Sequence, residues 1–465
     1  MSMLILSRIV IETSSPMAIN TGDRETGFDT QLARDANGLP YIPGTAVAGV
    51  WRHLCESVLG DQEARFWFGF SDKAERYRSK LDISNGCVHD QDNQPVIGLK
   101  TSIDIEEDAL LSVLRRERPL HREHVGINDR GVAAHEAKYD QVLLPTGVRF
   151  TIEVRLESGE FNSELATRMQ HLLSLWTDRR FAFGAKTRNG LGRFMVLNVE
   201  QKTIDLKSGP QVVTAIKDWR NGTAGQTLTL VDTNQTARLV AELDVKAIDT
   251  WRGGRGSQVL SDTTTPTVDI TSYSERFIEW HKNHGALSTK PRAILAGSTI
   301  KGILAHRLVF HYHRHTQQWA EGLIAESSNR WSQRPAAVAA LLGNADEHSE
   351  AEQIAGKLFV EDAIVQFKDT VERTHNSIDR FTGGVRKGAL YSEELLYQPT
   401  FTVRLWLQTN TSLEKSVADA LLDTLSDIEH GLLPMGSGEG RGSSLCERDQ
   451  EGAWKVNLDR INIDS

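Results

Sequence analysis

The sequence predicts an α+β fold built twice over: two tandem domains of the ferredoxin-like type, each interrupted by a long insertion. The first observation is an internal duplication. PYIPGTAVAGVWRHL at residues 40–54 returns as AILAGSTIKGILAHRL at 293–308, and FAFGAKTRNGLGRF at 181–194 returns as LLPMGSGEGRGSS at 432–444. Between these blocks, Arg122, His124, Ile127, Asp129 and Arg130 are answered by Arg373, His375, Ile378, Asp379 and Arg380, and TIEVRL at 151–156 by TFTVRLWL at 400–407. Gly44 to Gly184 spans 140 residues and Gly297 to Gly436 spans 139. Four blocks in one order at matched spacing mark two homologous domains, and each unit is far too long for a solenoid repeat. The second observation is the order within a unit: strand, helix, strands, helix and a Gly-rich return, an α+β arrangement.

Taken in order, each unit opens on an alternating strand, residues 5–11 and 239–245. In the first unit a loop bearing Gly and Asp follows, MAINTGDRETGFDTQLARDANG. Amphipathic helices then run over 45–59 and 298–312, with Thr45 and Ser298 where an N-cap hydroxyl satisfies a free helical N–H. A helix start opened by Gly44-Thr45 or Gly297-Ser298 also suits an anion. The irregular middle holds the Arg/His/Asp block, and second helices are expected over 163–177 and 413–430. The domains are therefore 1–200 and 237–465, with residues 201–236, rich in Thr, Gly, Asn and Gln, as the connection. The second unit carries two insertions: Asp262 lies 35 residues before Gly297 where Asp29 lies 15 before Gly44, and Gly343 follows Gly297 by 46 where Gly69 follows Gly44 by 25.

A chain of 465 residues allows two or three domains, and the duplication selects two, each able to bury a core without staples. Cys55, Cys87 and Cys446 are isolated, which excludes a disulfide framework and a CxxC zinc site and points to a reducing cytoplasm. The opening MSMLILSRIVIE alternates like a strand, and no apolar run reaches membrane-span length. A net charge of −9 argues against coating nucleic acid by bulk charge. A basic strip survives locally: Arg179, Arg180, Lys186, Arg188 and Arg193 crowd the first Gly-rich block, opposed there by Asp178 alone. Any nucleic-acid site is then a defined groove.

The Gly-rich blocks follow a helix and lack a GK[ST] ending, so they are neither P-loops nor dinucleotide fingerprints. Glycine lets the backbone approach a ligand, and Lys186, Arg188 and Arg441 can meet phosphate. Asp29 and Asp262, each followed by Thr, fall in near register after the opening strands, with Asp269 the competing choice in the second unit. Beside RNA such a carboxylate can hold hydrated Mg²⁺ or orient a 2′-hydroxyl; alone it is an ordinary turn residue. His124 and His375 have the chemistry of general acids or bases, while Arg122, Arg130, Arg373 and Arg380 can hold phosphate or pair with Asp129 and Asp379 to shape a loop. In HRLVFHYHRH only His311 and His315 share a helical face, and no carboxylate stands at a ligand spacing, so a metal tract is not expected.

These residues resemble the RAMP superfamily, specifically the backbone subunits of type III CRISPR effector complexes. The resemblance covers nearly the whole chain. It rests on Ile42-Pro43-Gly44-Thr45 with Gly49 and Arg52, on Gly297-Ser298 with Lys301, Gly302 and Arg307, on Phe68-Gly69 and Leu342-Gly343, on the late glycines 184–192 and 436–442 (Gly184; Gly436, Gly438, Gly440), and most of all on IDRFTGGVRKGALYSEE at 378–394. It implies a modified ferredoxin-like (RRM-like) fold that stacks along a guide CRISPR RNA with other effector subunits. The insertion acts as a thumb (Arg122, His124, Arg130; Arg373, His375, Arg380) that kinks the guide–target duplex, and an aspartate cuts target RNA with Mg²⁺ or Mn²⁺. Carried over, that aspartate is Asp29, and Asp262 in the second unit. Ala48 departs from the pattern where the helix-start lysine belongs, and two fused units resemble type III-D variant complexes. The alternatives are a non-catalytic RNA scaffold of the same fold and a guide-processing endoribonuclease using His124 or His375.

Overall fold

The computed structural model describes residues 3–20, 31–71, 75–127, 132–159, 162–222, 225–233, 236–261, 268–319, 334–344, 354–458 and 462–464. The first unit contains β1 (Met3–Thr13), α1 (Gly44–Leu59), β2 (Gly86–Val88), a hairpin of β3 (Leu120–Ile127) and β4 (Ala133–Leu143), β5 (Arg149–Ser158), α2 (Ser163–Ser174), β6 (Phe194–Asp205) and α3 (Gln211–Arg220). The second contains β7 (Ala237–Ala247), α4 (Gly297–His315), α5 (Ala336–Leu342), β8 (Leu358–Val360), a hairpin of β9 (Asp369–His375) and β10 (Tyr391–Tyr397), β11 (Thr400–Gln408), α6 (Lys415–Glu429) and β12 (Cys446–Arg448).

The main sheets run β6-β1-β5-β2 and β12-β7-β11-β8, all antiparallel. Written in order of appearance within a unit, both read 4-1-3-2, the ferredoxin-like order. The opening strand is central in each because its alternation gives one largely apolar face: Ile5, Ile9 and Ile11 are buried in β1 with Ser7 among them, and Leu243 and Val245 in β7. On α1, Val47, Trp51, Leu54 and Cys55 form the helical stripe that covers that face, and Trp51 Nε1 donates to Leu172 O of α2 at 3.0 Å. Ile300, Leu304 and Leu308 of α4 do the same in the second unit, beside Leu421, Leu425 and Ile428 of α6.

Two sequence expectations are corrected. Neither Thr45 nor Ser298 caps its helix; the caps are Pro43 and Ala296, with no side-chain cap bond. The first N–H is instead met from across the fold, Gly44 N donating to Asn85 Oδ1 at 2.9 Å and Gly297 N to Asp362 Oδ1 at 2.7 Å. The segment 201–236 is also more than a tether. It completes β6, and α3 returns across the sheet so that Trp219 is buried under Arg8, whose guanidinium lies 4.7 Å from the ring. Its polar composition suits the half-solvated face of an antiparallel sheet.

The units meet over residues 274–288 and the first hairpin. Ile278 joins the first unit's core, its N–H donating to Thr146 O at 2.9 Å, and Trp280 Nε1 donates to Gly147 O at 2.8 Å under Arg149.

Candidate nucleic-acid interface

Each Gly-rich return is a tight turn bolted to the segment that follows its opening strand. Ala185 N donates to Ala18 O at 2.9 Å, and Ser437 N to Arg252 O at 2.7 Å. Gly184 sits at φ +87° with Ala18 O where a Cβ would stand 2.2 Å away, so glycine is required twice over. The following 3₁₀ turns, Thr187–Asn189 and Glu439–Arg441, end on left-handed Gly190 and Gly442. The first turn carries Lys186 exposed and aimed over Tyr139, 5.2 Å from the ring.

That turn and the first hairpin dock on the start of α4. Arg122, 3% exposed, bonds Glu275 Oε1 through Nε at 2.7 Å and Asp362 Oδ2 through Nη2 at 2.6 Å. Tyr273 Oη donates to Glu275 Oε1 at 2.7 Å, while Arg179 pairs with Glu361 at 2.5 Å. Burial alone would lower the Arg122 guanidinium, but Asp362 and Glu275 hold it well above its ordinary value. Burial pushes Glu275 up, against the pull of Arg122. A buried set of this kind depends on every partner being present.

Above this set lies a small cleft lined by His124, Tyr139, Gln141, Lys186, Asn189 and Ser298. His124 stacks on Tyr139 across the hairpin, with centroids 4.9 Å apart at 14°, and its Nδ1 is 3.5 Å from Ser298 Oγ. Burial, then Arg122 and Lys186, lower His124 to about 4, so it is neutral at physiological pH. A neutral imidazole there accepts or donates hydrogen bonds but brings no cation to phosphate.

Beside the cleft three cations gather with carbonyls as partners and, among the described residues, no carboxylate. Arg188 Nε donates to Gly356 O at 2.5 Å, Lys301 Nζ to Leu358 O at 3.1 Å, and Arg334 Nη1 to Gly343 O at 2.6 Å. The anchors adjoin, since a Cβ on Gly343 would stand 2.8 Å from Gly356 N. Burial, then the charges of Arg188 and Arg334, lower Lys301 to about 7. One accepting carbonyl leaves two ammonium N–H groups of Lys301 without an acceptor among the described residues.

The residues singled out from sequence fall into three sets. Asp29, Asp262 and Arg130 lie outside the described residues. Asp269 is spent on structure, accepting from Ser392 N at 2.8 Å. Several expected RNA contacts are buried or engaged. Arg122 is locked in the joint, Lys301 is buried, and Arg307 pairs with Asp427. Gly297 abuts Asn189 O and Val360 O; Ser298 faces the cleft, and Gly436 is wedged against Ser444 and Arg252 O. The surface retains Thr45 and half-buried Arg52 on α1 above buried Gly44, Lys186, and the second turn's Gly438, Gly440 and Arg441. Arg441 lies 3.9 Å from Glu393, and Arg373 pairs with Asp249 at 3.4 Å. His375 bonds Glu393 at 2.6 Å, and Arg380 is exposed.

Sequence reading missed Glu275, Asp362, Arg334 and the stacked tyrosines. The last had a signal: YDQVLL at 139–144 and YSEELL at 391–396 form a fifth repeated block. Among the described residues no three His, Cys, Asp or Glu are placed to hold a metal, and no helix is long and apolar enough to cross a membrane. His311 and His315 do meet carboxylates, Asp427 and Asp423 of α6 at 2.6 Å each, but Arg307 and Arg314 occupy the same carboxylates.

The RAMP superfamily model matches residues 10–195 and 280–447, well over half of the chain and one stretch in each unit. The chain belongs to the RAMP superfamily. Comparison with curated proteins finds no match. Among solved structures, this RAMP protein is similar to a chain in a cryo-EM structure of the type III-B Cmr-beta complex bound to cognate target RNA. Identity is 16% and the TM-score 0.29, over 44% of this chain and 61% of that one.

Proposed function

We propose that this RAMP protein is a guide-RNA-binding subunit of a type III CRISPR ribonucleoprotein, holding RNA phosphates along the seam between its units, and that it cuts complementary target RNA. The observation that carries RNA binding is the Arg188–Lys301–Arg334 cluster: buried Lys301 is repelled by both guanidinium groups, and all three cations have carbonyl partners and no carboxylate among the described residues. Water solvates such charges poorly there, and a phosphate backbone supplies the missing counter-charge. Lys186 extends the basic track at the surface.

Cleavage is assigned to Asp29, with Asp262 as its counterpart, through attack of a 2′-oxygen on the adjacent phosphate. Mg²⁺ or Mn²⁺ at Asp29 would neutralise charge developing on that phosphate. What supports this placement is that Asn20 and Leu32, the described residues flanking that loop, pair with each other close to Ala18, where the Gly-rich turn is anchored.

RNA binding measured against salt tests the first part: Arg188→Gln with Arg334→Gln should reduce the log–log slope by about one for each phosphate no longer neutralised. An unchanged slope rejects the seam as the phosphate site. For cleavage, the assembled complex carrying Asp29→Ala and Asp262→Ala should lose its target cuts, as should the native complex in EDTA. Cuts retained at every position would leave the protein as an RNA scaffold.

A further inference from the structure

Three things work against the charge on Lys301. Its side chain is 9% exposed, so water solvates little of the ammonium. Of its three N–H groups one meets an acceptor among the described residues, Leu358 O at 3.1 Å. The charged groups that act on it there are the guanidinium groups of Arg188 and Arg334, and both repel it.

The elements packed against α4 bring no described carboxylate to its aid. β8 (LFV) and α5 (AAVAALL) carry no ionisable side chain. The acids of α6 are engaged further along the helix, Asp427 by Arg307 and His311, and Asp423 by Arg314 and His315. Asp362 accepts from Gly297 N and pairs with Arg122, while Glu361 pairs with Arg179. From the first unit come neutral His124 and the cations Lys186 and Arg188. On α4 itself the next ionisable side chain is His306, which reaches Ile127 O. Burial first, then Arg188 and Arg334, lower Lys301 to about 7. Arginine keeps its proton in this range, so lysine is the cation of the three that yields.

Given the phosphate-holding seam proposed above, on which this rests, we infer that RNA binding is coupled to protonation: the Lys301 amine of the free protein is poised to lose its proton and regains it when an RNA phosphate arrives beside Arg188 and Arg334. The phosphate supplies the counter-charge and accepts from the N–H groups left over, which restores the ammonium. Binding then raises the value of Lys301 and draws in a proton wherever the free protein lacks one, so affinity increases as pH falls through 7 and declines above it. The coupling belongs to the second unit, because Ala48 stands four residues after Gly44 where Lys301 stands four after Gly297. An exposed basic surface would behave differently, its lysines staying charged to about pH 10.

Binding of a labelled single-stranded RNA of guide length to the full-length protein, at fixed ionic strength, tests the coupling. Native affinity should fall about five- to tenfold from pH 6 to pH 8. Calorimetry of the same binding at pH 8, in buffers of differing ionisation enthalpy, should register uptake of about one proton. Lys301→Met should bind more weakly than the native protein at pH 6 and lose most of the slope, the gap narrowing as pH rises. A level native affinity with no proton uptake overturns the coupling, as does a slope that survives intact in Lys301→Met of native thermal stability. If the variant misfolds, calorimetry of the native protein decides. The seam itself stands or falls separately, by whether Arg188→Gln with Arg334→Gln lowers the salt slope.

Discussion

His124 and His375 occupy one position in two copies of one hairpin, and each stacks on a tyrosine across the ladder, at 4.9 and 5.0 Å. Their surroundings diverge two residues beyond the tyrosine. The first hairpin has Gln141 there and Arg122 opposite; the second has Glu393, 2% exposed and bonded by His375 and Arg252. The first hairpin has given its arginine to the joint and lies along α4, where His306 Nε2 reaches Ile127 O at 3.2 Å. The second keeps its arginine near the surface and ends in a tip where Ile378, Phe381, Val385 and Leu390 are all exposed. A repeated backbone thus serves as a clamp in one unit and as a free arm in the other. What decides is the carboxylates it meets, not the fold.

The sharpest way to break this comparison is to remove the two equivalent arginines. Arg122→Ala leaves buried Glu275 and half-buried Asp362 without their cation and should cost about 3–5 kcal/mol in chemical denaturation. Arg373→Ala, at a surface pair, should cost less than about 1 kcal/mol. Equal costs would mean that the hairpins are equivalent after all.

A smaller effect should appear in acid. The folded value of His124, about 4, lies below the ordinary 6.5, so the unfolded chain binds the extra proton first. The contribution of His124 is full above pH 6.5 and is lost as pH falls through 4. His124→Gln should flatten that part of the stability–pH curve, and an unaltered curve would show that the imidazole is not held neutral. The smallest expected change in stability is at the free arm: Phe381→Ser, at a fully exposed side chain, should move stability by no more than about 0.5 kcal/mol while weakening binding of a guide–target duplex. A large loss of stability would show that the tip is packed.

Much of the fold was legible because it rests on local pattern. The alternation of β1 and β7, the stripes of α1 and α4, and the matched spacing of the glycines each follow from a periodicity of the chain. The caps were misread because Asn85 and Asp362 reach the helix starts from 41 and 65 residues downstream, beyond any local rule. The site was less legible for the same reason. Arg122 reads as a surface cation in a charged block, and only the docking of the second unit turns it into a buried one. Lys301 reads as a phosphate ligand from its place after Gly297, yet β8 passes over it and accepts one of its N–H groups. Arg334 stands in an insertion with no counterpart in the first unit, so the duplication was silent about it.

The joint also has a consequence for stoichiometry. Units on separate polypeptides would pair by mass action and part on dilution, whereas here the connecting segment keeps each at a fixed, high effective concentration beside the other. With Arg122 closing the contact, the ratio of the two units is set when the chain is translated, and the register between whatever each unit grips travels unchanged from one assembly to the next.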